Sequence, residues 1–351
     1  MSTITELKWT SLTPLVNEIK SPNQFLKRRL YGRHVTLPTE DIELSVLTKG
    51  REVAPFVRKN GAALLIDGHS ETFQTVSAPN IRVKRPFTPS GLLFNRRPGT
   101  VIFSPGAGMQ VSALQQHIAR DMQVMADAIT NAEEYLCALS LTGVVSYSVS
   151  PNEHFTITYP KPAANNVTLT TFWDDADPTL PDPEENFHLV KKLLSDAVGL
   201  GLKDAIMGAG AAAAFRKILK IQGNLGQGPK LDTGNLTLQQ QYSNEGVIYL
   251  GQFCGVECWE YSRTVAVAGV STPLIRDKFV EFVAEGAAAE FTLYYGAIPD
   301  MKALQGRKFQ GERFSKSWEN EDPSQMIALA HSRPLPVPRR PGAMVSMQVI
   351  A

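Results

Sequence analysis

The chain has 351 residues, 43% hydrophobic and 20% charged, ordinary values for a globular protein of one large domain or two smaller ones. A formal net charge of +1 excludes a dedicated nucleic-acid binder, which would carry a strong basic excess. Three cysteines imply no disulfide framework, no apolar run reaches spanning length and no apolar h-region opens the chain, so a reducing cytoplasmic setting is expected and neither secretion nor membrane insertion.

Residues 1 to about 40 carry only short helical patches, Leu12–Ile19 and Phe25–Tyr31, separated by Pro14, Ser21 and Pro22. Lys20, Lys27, Arg28, Arg29 and Arg33 outnumber Glu6 and Glu18. The segment reads either as a loosely ordered tail or as an arm lying on a neighbouring subunit. The arm's anchors would be Trp9, Phe25, Leu26, Leu30 and Tyr31, with Arg28 and Arg29 beside them. Aromatic residues have little reason to sit on a solvated tail.

From Ile42 to Val57 the spacing of apolar residues turns extended. Gly61–Thr100 then reads as short strands and turns: Ala63–Ile66, a turn at Asp67–Gly68, Glu71–Val76, Ile81–Val83 and Leu92–Phe94. Between Glu71 and Asp121 no acidic residue occurs, whereas Arg82, Lys84, Arg85, Arg96 and Arg97 all fall there. Such a basic excursion lacks the apolar surface to fold alone. It is either a solvated loop or a long hairpin lying on an acidic surface of a partner chain.

The dominant feature is Val111–Leu139. Val111, Leu114, Ile118, Met122, Met125, Ile129, Ala132, Leu136 and Leu139 recur at steps of three and four, which places them on one face of a helix roughly 40 Å long. Gly106 and Gly108 precede it and Gly143 closes it. Gln115, Gln116, Arg120, Gln123, Asp127, Asn131 and Glu134 occupy the other face, so burial on one side is expected.

A short β passage follows, Val144–Val149 and Phe155–Tyr159. The acidic run from Asp174 to Glu185 lacks the glycine and closing glutamate of a calcium loop; it reads as a linker whose last acids cap a helix over Asn186–Val198. A domain boundary near residue 183 is expected. Beyond it come a buried strand at Leu202–Met207, an Ala-rich helix over Ala211–Ile221 and a Gly-rich loop at Gly223–Gly234. Val247–Phe253 and Val256–Tyr261 form a hairpin turning near Gly255, Thr264–Val270 reads as one more strand, and Phe279–Phe282 and Phe291–Tyr295 return to extended structure. Met326–Ala330 and Met344–Ile350 are closing strands, bridged by an extended segment with Pro334, Pro336, Pro338 and Pro341.

No constellation of reactive groups emerges. Gly199, Gly201, Gly208 and Gly210 lack the Lys-Ser/Thr of a phosphate loop and the spacing of a dinucleotide fingerprint. Cys254 and Cys258 resemble half of a zinc site, but no second pair follows, so they read as small apolar thiols. His34, His69, His117, His154, His188 and His331 are scattered and belong to no hydrolase or metalloprotease motif. No catalytic residue, cofactor site or metal site is expected.

The order of parts, with several stretches inside it, resembles the major capsid proteins of tailed bacteriophages, and specifically the lambda-type major head protein family. Phe25-Leu26-Lys27-Arg28-Arg29-Leu30 and Pro38-Thr39-Glu40-Asp41-Ile42-Glu43-Leu44 are similar to the family's arm and its exit. The long helix and Leu139–Tyr147 are similar to its spine helix and the turn after it. Phe314–Trp318, Met326–Leu335 and Met344–Ala351 are similar to its closing strands. The resemblance implies an α+β chain with the fold shared by tailed-phage and herpesvirus major capsid proteins. Its parts would be an N-terminal arm (1–50), an extended β loop (51–105), a peripheral domain (106–183 and 301–351, spine helix 111–139) and an axial domain (184–300).

The function so implied is a non-enzymatic head subunit, self-assembling into hexamers and pentamers of an icosahedral shell around double-stranded DNA held by confinement, first as a precursor that later expands. It would be made in the host bacterial cytoplasm with scaffold, portal and decoration proteins as partners. Inter-subunit contacts are expected at Trp9, Phe25, Arg28, Arg29, Arg82, Lys84, Arg85, Arg96 and Arg97. The competing readings are an oligomeric metabolic enzyme with a site in residues 184–300, and a phage tail component.

Overall fold

The computed structural model describes residues 24–47, 71–87, 107–150, 153–177, 180–224, 246–286, 291–305, 310–322 and 325–351. Trp9, Arg96, Arg97, the Ala63–Ile66 and Leu92–Phe94 strands and most of the Gly-rich loop lie outside them. The described chain opens on a short helix α1 (Phe25–Arg29) and strand β1 (Arg33–Thr36). An antiparallel ribbon follows, β2 (Asp41–Leu47) with β3 (Glu71–Ser77), and then strand β4 (Ile81–Phe87). The long helix α2 runs Ala107–Leu141, 35 residues, at 1.5 Å each roughly 50 Å. It ends where Gly143 takes a positive φ of 86° and leads into the hairpin β5 (Val144–Ser150) and β6 (Glu153–Thr158).

A mixed six-stranded sheet organises the rest. Its order is β7 (Asn166–Thr168), β18 (Met344–Gln348), β13 (Phe279–Ala284), β8 (Leu202–Met207), β10 (Val256–Tyr261) and β9 (Val247–Phe253). Helices α3 (Pro183–Ala197) and α4 (Ala209–Asn224) cover one face, where Phe187, Leu194 and Phe215 meet Met207, Phe253 and Phe282. The other face is buried as well. Ile206, Trp259, Tyr261 and Val283 point there, against Phe25 and Leu26 of α1 and Cys137 and Leu141 of α2. Because alternate residues of one strand serve opposite cores, the central strands β8 and β13 are buried at nearly every position.

Strands β7 and β18 come from outside residues 184–300, so the boundaries read from sequence at 183 and 300 cut across this sheet. The physical reason is register: Phe279–Val283 pairs antiparallel with Met344–Gln348, and the last strand fills a position that the inserted segment leaves open.

Two smaller sheets complete the frame. β14 (Phe291–Tyr295) lies between β1 and β17 (Pro334–Pro338), and β16 (Gln325–Ser332) lies between β15 (Phe314–Asn320) and β4. The proline bridge is itself a strand. Pro334, Pro336 and Pro338 recur at every second position, so their missing N–H groups fall on one side, and Leu335 and Val337 carry the ladder to β14. Thr264–Val270, read as one strand, is a hairpin of β11 (Thr264–Val267) and β12 (Val270–Pro273). Its turn places Ala268 at φ 49° before Gly269 at 82°, and alanine gives no turn signal.

The glycines that invite a nucleotide-loop reading have structural duties. Gly199, at φ 76°, donates its N–H to the Leu194 carbonyl at 3.1 Å and closes α3. Gly208, between β8 and α4, lies so close to another backbone segment that a Cβ would sit 2.3 Å from the Arg276 carbonyl oxygen and 2.7 Å from Asp277 Cα. Gly208→Ala must therefore move backbone, and denaturant unfolding of the unassembled subunit is expected to show a loss of roughly 1–3 kcal/mol.

Candidate assembly surfaces

Contact with further copies requires surfaces that the chain itself leaves unused, and the basic and aromatic candidates divide by whether they are already engaged. The segment at Phe25–Tyr31 is engaged. Phe25 is fully buried between Trp259 and Tyr261, at ring separations of 5.2 and 5.5 Å, and Tyr31 meets Phe291 edge-on at 5.3 Å. The sequence reading makes Phe25, Leu26, Leu30 and Tyr31 anchors on a neighbour; within the single chain, the hydrophobic face of its own six-stranded sheet takes them.

Polar contacts fix the same segment. The N–H groups of Leu26 and Lys27, left over at the start of α1, donate to the two oxygens of Glu134 at 2.7 and 3.1 Å. Tyr261 Oη–H donates to the same carboxylate at 2.9 Å. Glu133, one residue earlier, takes Lys27 at 2.8 Å and Arg313 at 3.0 Å, and Arg313 also reaches Thr130 at 2.9 Å. Burial pushes the Glu134 carboxyl above its ordinary range, opposed by the donors from Leu26, Lys27 and Tyr261; burial and the Glu134 charge push the Tyr261 hydroxyl up. Glu134, assigned from periodicity to the solvated face of the helix, is thus buried, and the C-terminal half of α2 is covered on two sides.

Arg29 is spoken for by Asp204 at 2.8 Å and by Glu257, and it lies over the Trp259 ring at 5.0 Å. Arg28 is exposed. Only Arg28 of this segment keeps the accessibility that a contact with another copy requires.

Strand β4 divides its residues by side. Ile81, Val83 and Phe87 turn toward α2 and pack with Met122, Met125 and Ile129. Arg85 is on that side too, 3.2 Å from Asp121 on the long helix of the same chain. Arg82 and Lys84 alternate with these and are exposed. Far from them in sequence, Asp174, Asp177 and Glu185 are exposed on the acidic segment, whose Asp182 caps α3 by accepting from Glu185 N–H at 3.1 Å, with Pro183 in the first turn. A hollow of about 340 Å³, lined by Ile298, Met301 and Leu304 together with Glu40 and Asp300, opens at the surface. Met301 is 71% exposed and Leu304 50%, an arrangement more typical of an interface than of a solvated helix.

His331 lies across the ladder from Arg82 and is buried. Burial first, then Arg82 and Arg333, push its imidazole down from 6.5 to about 4. Its Nε2 is hydrogen-bonded to Asn80, and its Nδ1 meets no donor or acceptor, which suits a neutral ring. The unfolded chain takes up this proton near pH 6.5 and the folded chain only near 4, so stability is lost as pH falls through that interval. Denaturation across this range is expected to show an acid-side loss of roughly 3 kcal/mol from this group, and His331→Asn should flatten it.

Ser148 and His154 meet at 2.6 Å on the exposed β5–β6 hairpin, and His34 pairs with Glu312 at 3.0 Å. Cys258 is buried in the α3–α4 core, as its apolar reading requires.

Comparison with known proteins places this geometry. The model of the family described as phage major capsid protein E matches residues 8–349. A crystal structure assigned to the capsid protein of a prophage of Escherichia coli CFT073 superposes with a TM-score of 0.72 at 18% identity, covering 98% of this chain and 99% of that one. A phage-related protein from Bordetella bronchiseptica RB50 is similar with a TM-score of 0.51 at 13% identity, over 96% and 95% of the two chains. The capsid of an empty GTA particle gives 0.51 at 11% identity, over 95% and 92%. No curated protein matches. Full-length similarity in fold, with a family match over nearly every residue, replaces the enzyme and tail readings: the chain belongs to the phage major capsid protein E family and is a structural, non-enzymatic subunit of a phage head shell.

Proposed function

We propose that copies of this chain form hexamers and pentamers of an icosahedral head by a heterologous contact, in which the exposed face of β4 on one copy meets the acidic segment around Asp174–Glu185 on the next. The observation that carries this reading is the division within β4: one side is spent on the chain's own helix, whereas Arg82 and Lys84 are left facing outward. Opposite charges on separate patches of one chain favour head-to-tail association, which closes into rings when the rotation allows. The axial part at the ring centre comprises residues 184–300 together with β7 and β18, since one sheet holds them. The peripheral part carries α2 and the β4–β16–β15 sheet, and residues 51–105 and 1–23 complete the contacts through Arg96, Arg97 and Trp9. Double-stranded DNA is held by confinement, because a net charge of +1 cannot neutralise many phosphates. Scaffold, portal and decoration proteins are the further partners during assembly in the bacterial cytoplasm, and the shell expands after assembly.

Charge reversal separates assembly from folding. Arg82→Glu with Lys84→Glu is expected to leave the subunit's unfolding curve within about 0.5 kcal/mol and to abolish normal heads in electron micrographs. Arg85→Glu is expected instead to lower subunit stability by about 1 kcal/mol, because it sets a second carboxylate beside Asp121. Normal heads from the Arg82/Lys84 variant would rule the β4 contact out.

A further inference from the structure

The acidic segment, which lacks the pattern of a calcium loop, meets a histidine and a cysteine once the chain is folded. Glu184 and His188 stand one turn apart on α3, with carboxylate oxygen and Nε2 3.8 Å apart. The tip of the β9–β10 hairpin brings Cys254 to the same place, so that one carboxylate oxygen, one imidazole nitrogen and the Cys254 Sγ all lie within 4.8 Å of one another. Among the described residues no other group of three metal-ligating side chains is so gathered. We propose that Glu184, His188 and Cys254 bind a soft divalent cation of the zinc class, with the fourth coordination position taken by water.

The donor set selects the ion. Thiolate, imidazole and carboxylate together suit zinc, whereas calcium and magnesium take oxygen ligands. Tetrahedral bonds of about 2.0–2.3 Å separate ligand atoms by about 3.5 Å, so the Glu184–His188 pair at 3.8 Å is nearly at that spacing, and the Cys254 pairs, within 4.8 Å, must close by at most about 1.3 Å. Glu184 and His188 can do so by rotating, since their side chains are 47% and 61% exposed, and the same exposure lets an ion enter.

Contacts beneath the site tie the helix to the hairpin. Phe187 of α3 packs edge-on against Phe253 of the hairpin at 5.1 Å, and Lys191 Nζ, also on α3, donates to the Cys254 carbonyl at 2.5 Å. Asp182, Glu184 and Glu185 make the surroundings negative, which favours a cation. Burial, then the charge of Glu184, holds the Cys254 thiol above its ordinary range, with Lys191 opposing and Asp182 adding. A bound divalent ion reverses that balance: the thiol releases its proton to solvent and the sulfur coordinates as thiolate.

The test is titration of the full-length subunit with cobalt(II), followed by displacement with zinc(II). One cobalt per chain is expected, with a thiolate-to-cobalt charge-transfer band in the near ultraviolet and tetrahedral visible bands that zinc abolishes. Cys254→Asn is the informative variant. Cys254 and Gly255, at φ 51° and 76°, form a two-residue type I′ turn in which Asn is favoured, so the hairpin is retained while the sulfur is removed. Circular dichroism should be unchanged, the charge-transfer band lost and affinity reduced about tenfold or more; His188→Ala should weaken binding to a similar extent. A parent chain without the band, or a folded Cys254→Asn variant that binds cobalt as tightly as the parent, would overturn the site.

Discussion

Two adjacent carboxylates near the end of one helix hold three distant parts of the chain together. Glu133 and Glu134 are both fully buried on α2. Removing such groups from water costs several kcal/mol each unless their lone pairs are met. Both Glu134 oxygens are met, by the first N–H groups of α1 and by Tyr261 of the six-stranded sheet, and Glu133 Oε2 is met by Lys27 and by Arg313 just before β15, while Glu133 Oε1 has no hydrogen-bond partner among the described residues. Each partner lies more than 100 residues away in sequence, so the junction forms only when the whole subunit has folded. Loss of one partner would strand a buried charge, which is far more destabilising than the net contribution of the intact network.

That junction decides which surfaces are left over. Because both faces of the six-stranded sheet are covered, one by α3 and α4 and the other by α1 and α2, the sheet offers a partner only its edges. Among the described residues, the exposed surface includes Arg28, the outer side of β4, the acidic run before α3, and the hollow beside Met301 and Leu304. A shell built from many weak contacts of this kind can be cooperative without any one interface being strong, since each copy is held by several neighbours.

The sequence made local structure legible and long-range pairing obscure. Helix α2 was readable from a three–four repeat, and the β9–β10 hairpin from two strands flanking Cys254–Gly255. Periodicity could not reveal that Glu134 is buried, because a carboxylate on the polar side of a helix looks the same whether water or α1 lies against it. Nor could it show that β4 pairs with β16, about 240 residues later, or that the last strand joins the sheet of the inserted segment. The basic charge of β4 was correctly visible, but its division into Arg82 and Lys84 outward and Arg85 inward required knowing which side α2 takes. Most of the described elements were therefore readable, though not β1, β7 or the split of Thr264–Val270 into two strands, and little of the surface was readable as contacts.

The same limit explains the cluster at Cys254. Metal ligands are sought in sequence as closely spaced pairs, and here the neighbouring thiol, Cys258, turns into the core because it sits on the inward side of β10. The histidine and carboxylate come from 66 and 70 residues upstream, on a helix that the Phe187–Phe253 contact presses against the hairpin. Side-chain spacing of i and i+4 placed Glu184 and His188 together, but only packing placed Cys254 beside them. A donor set assembled by packing reports on the docking of α3 against the hairpin, so any distortion that parts helix from hairpin should also part the ligands.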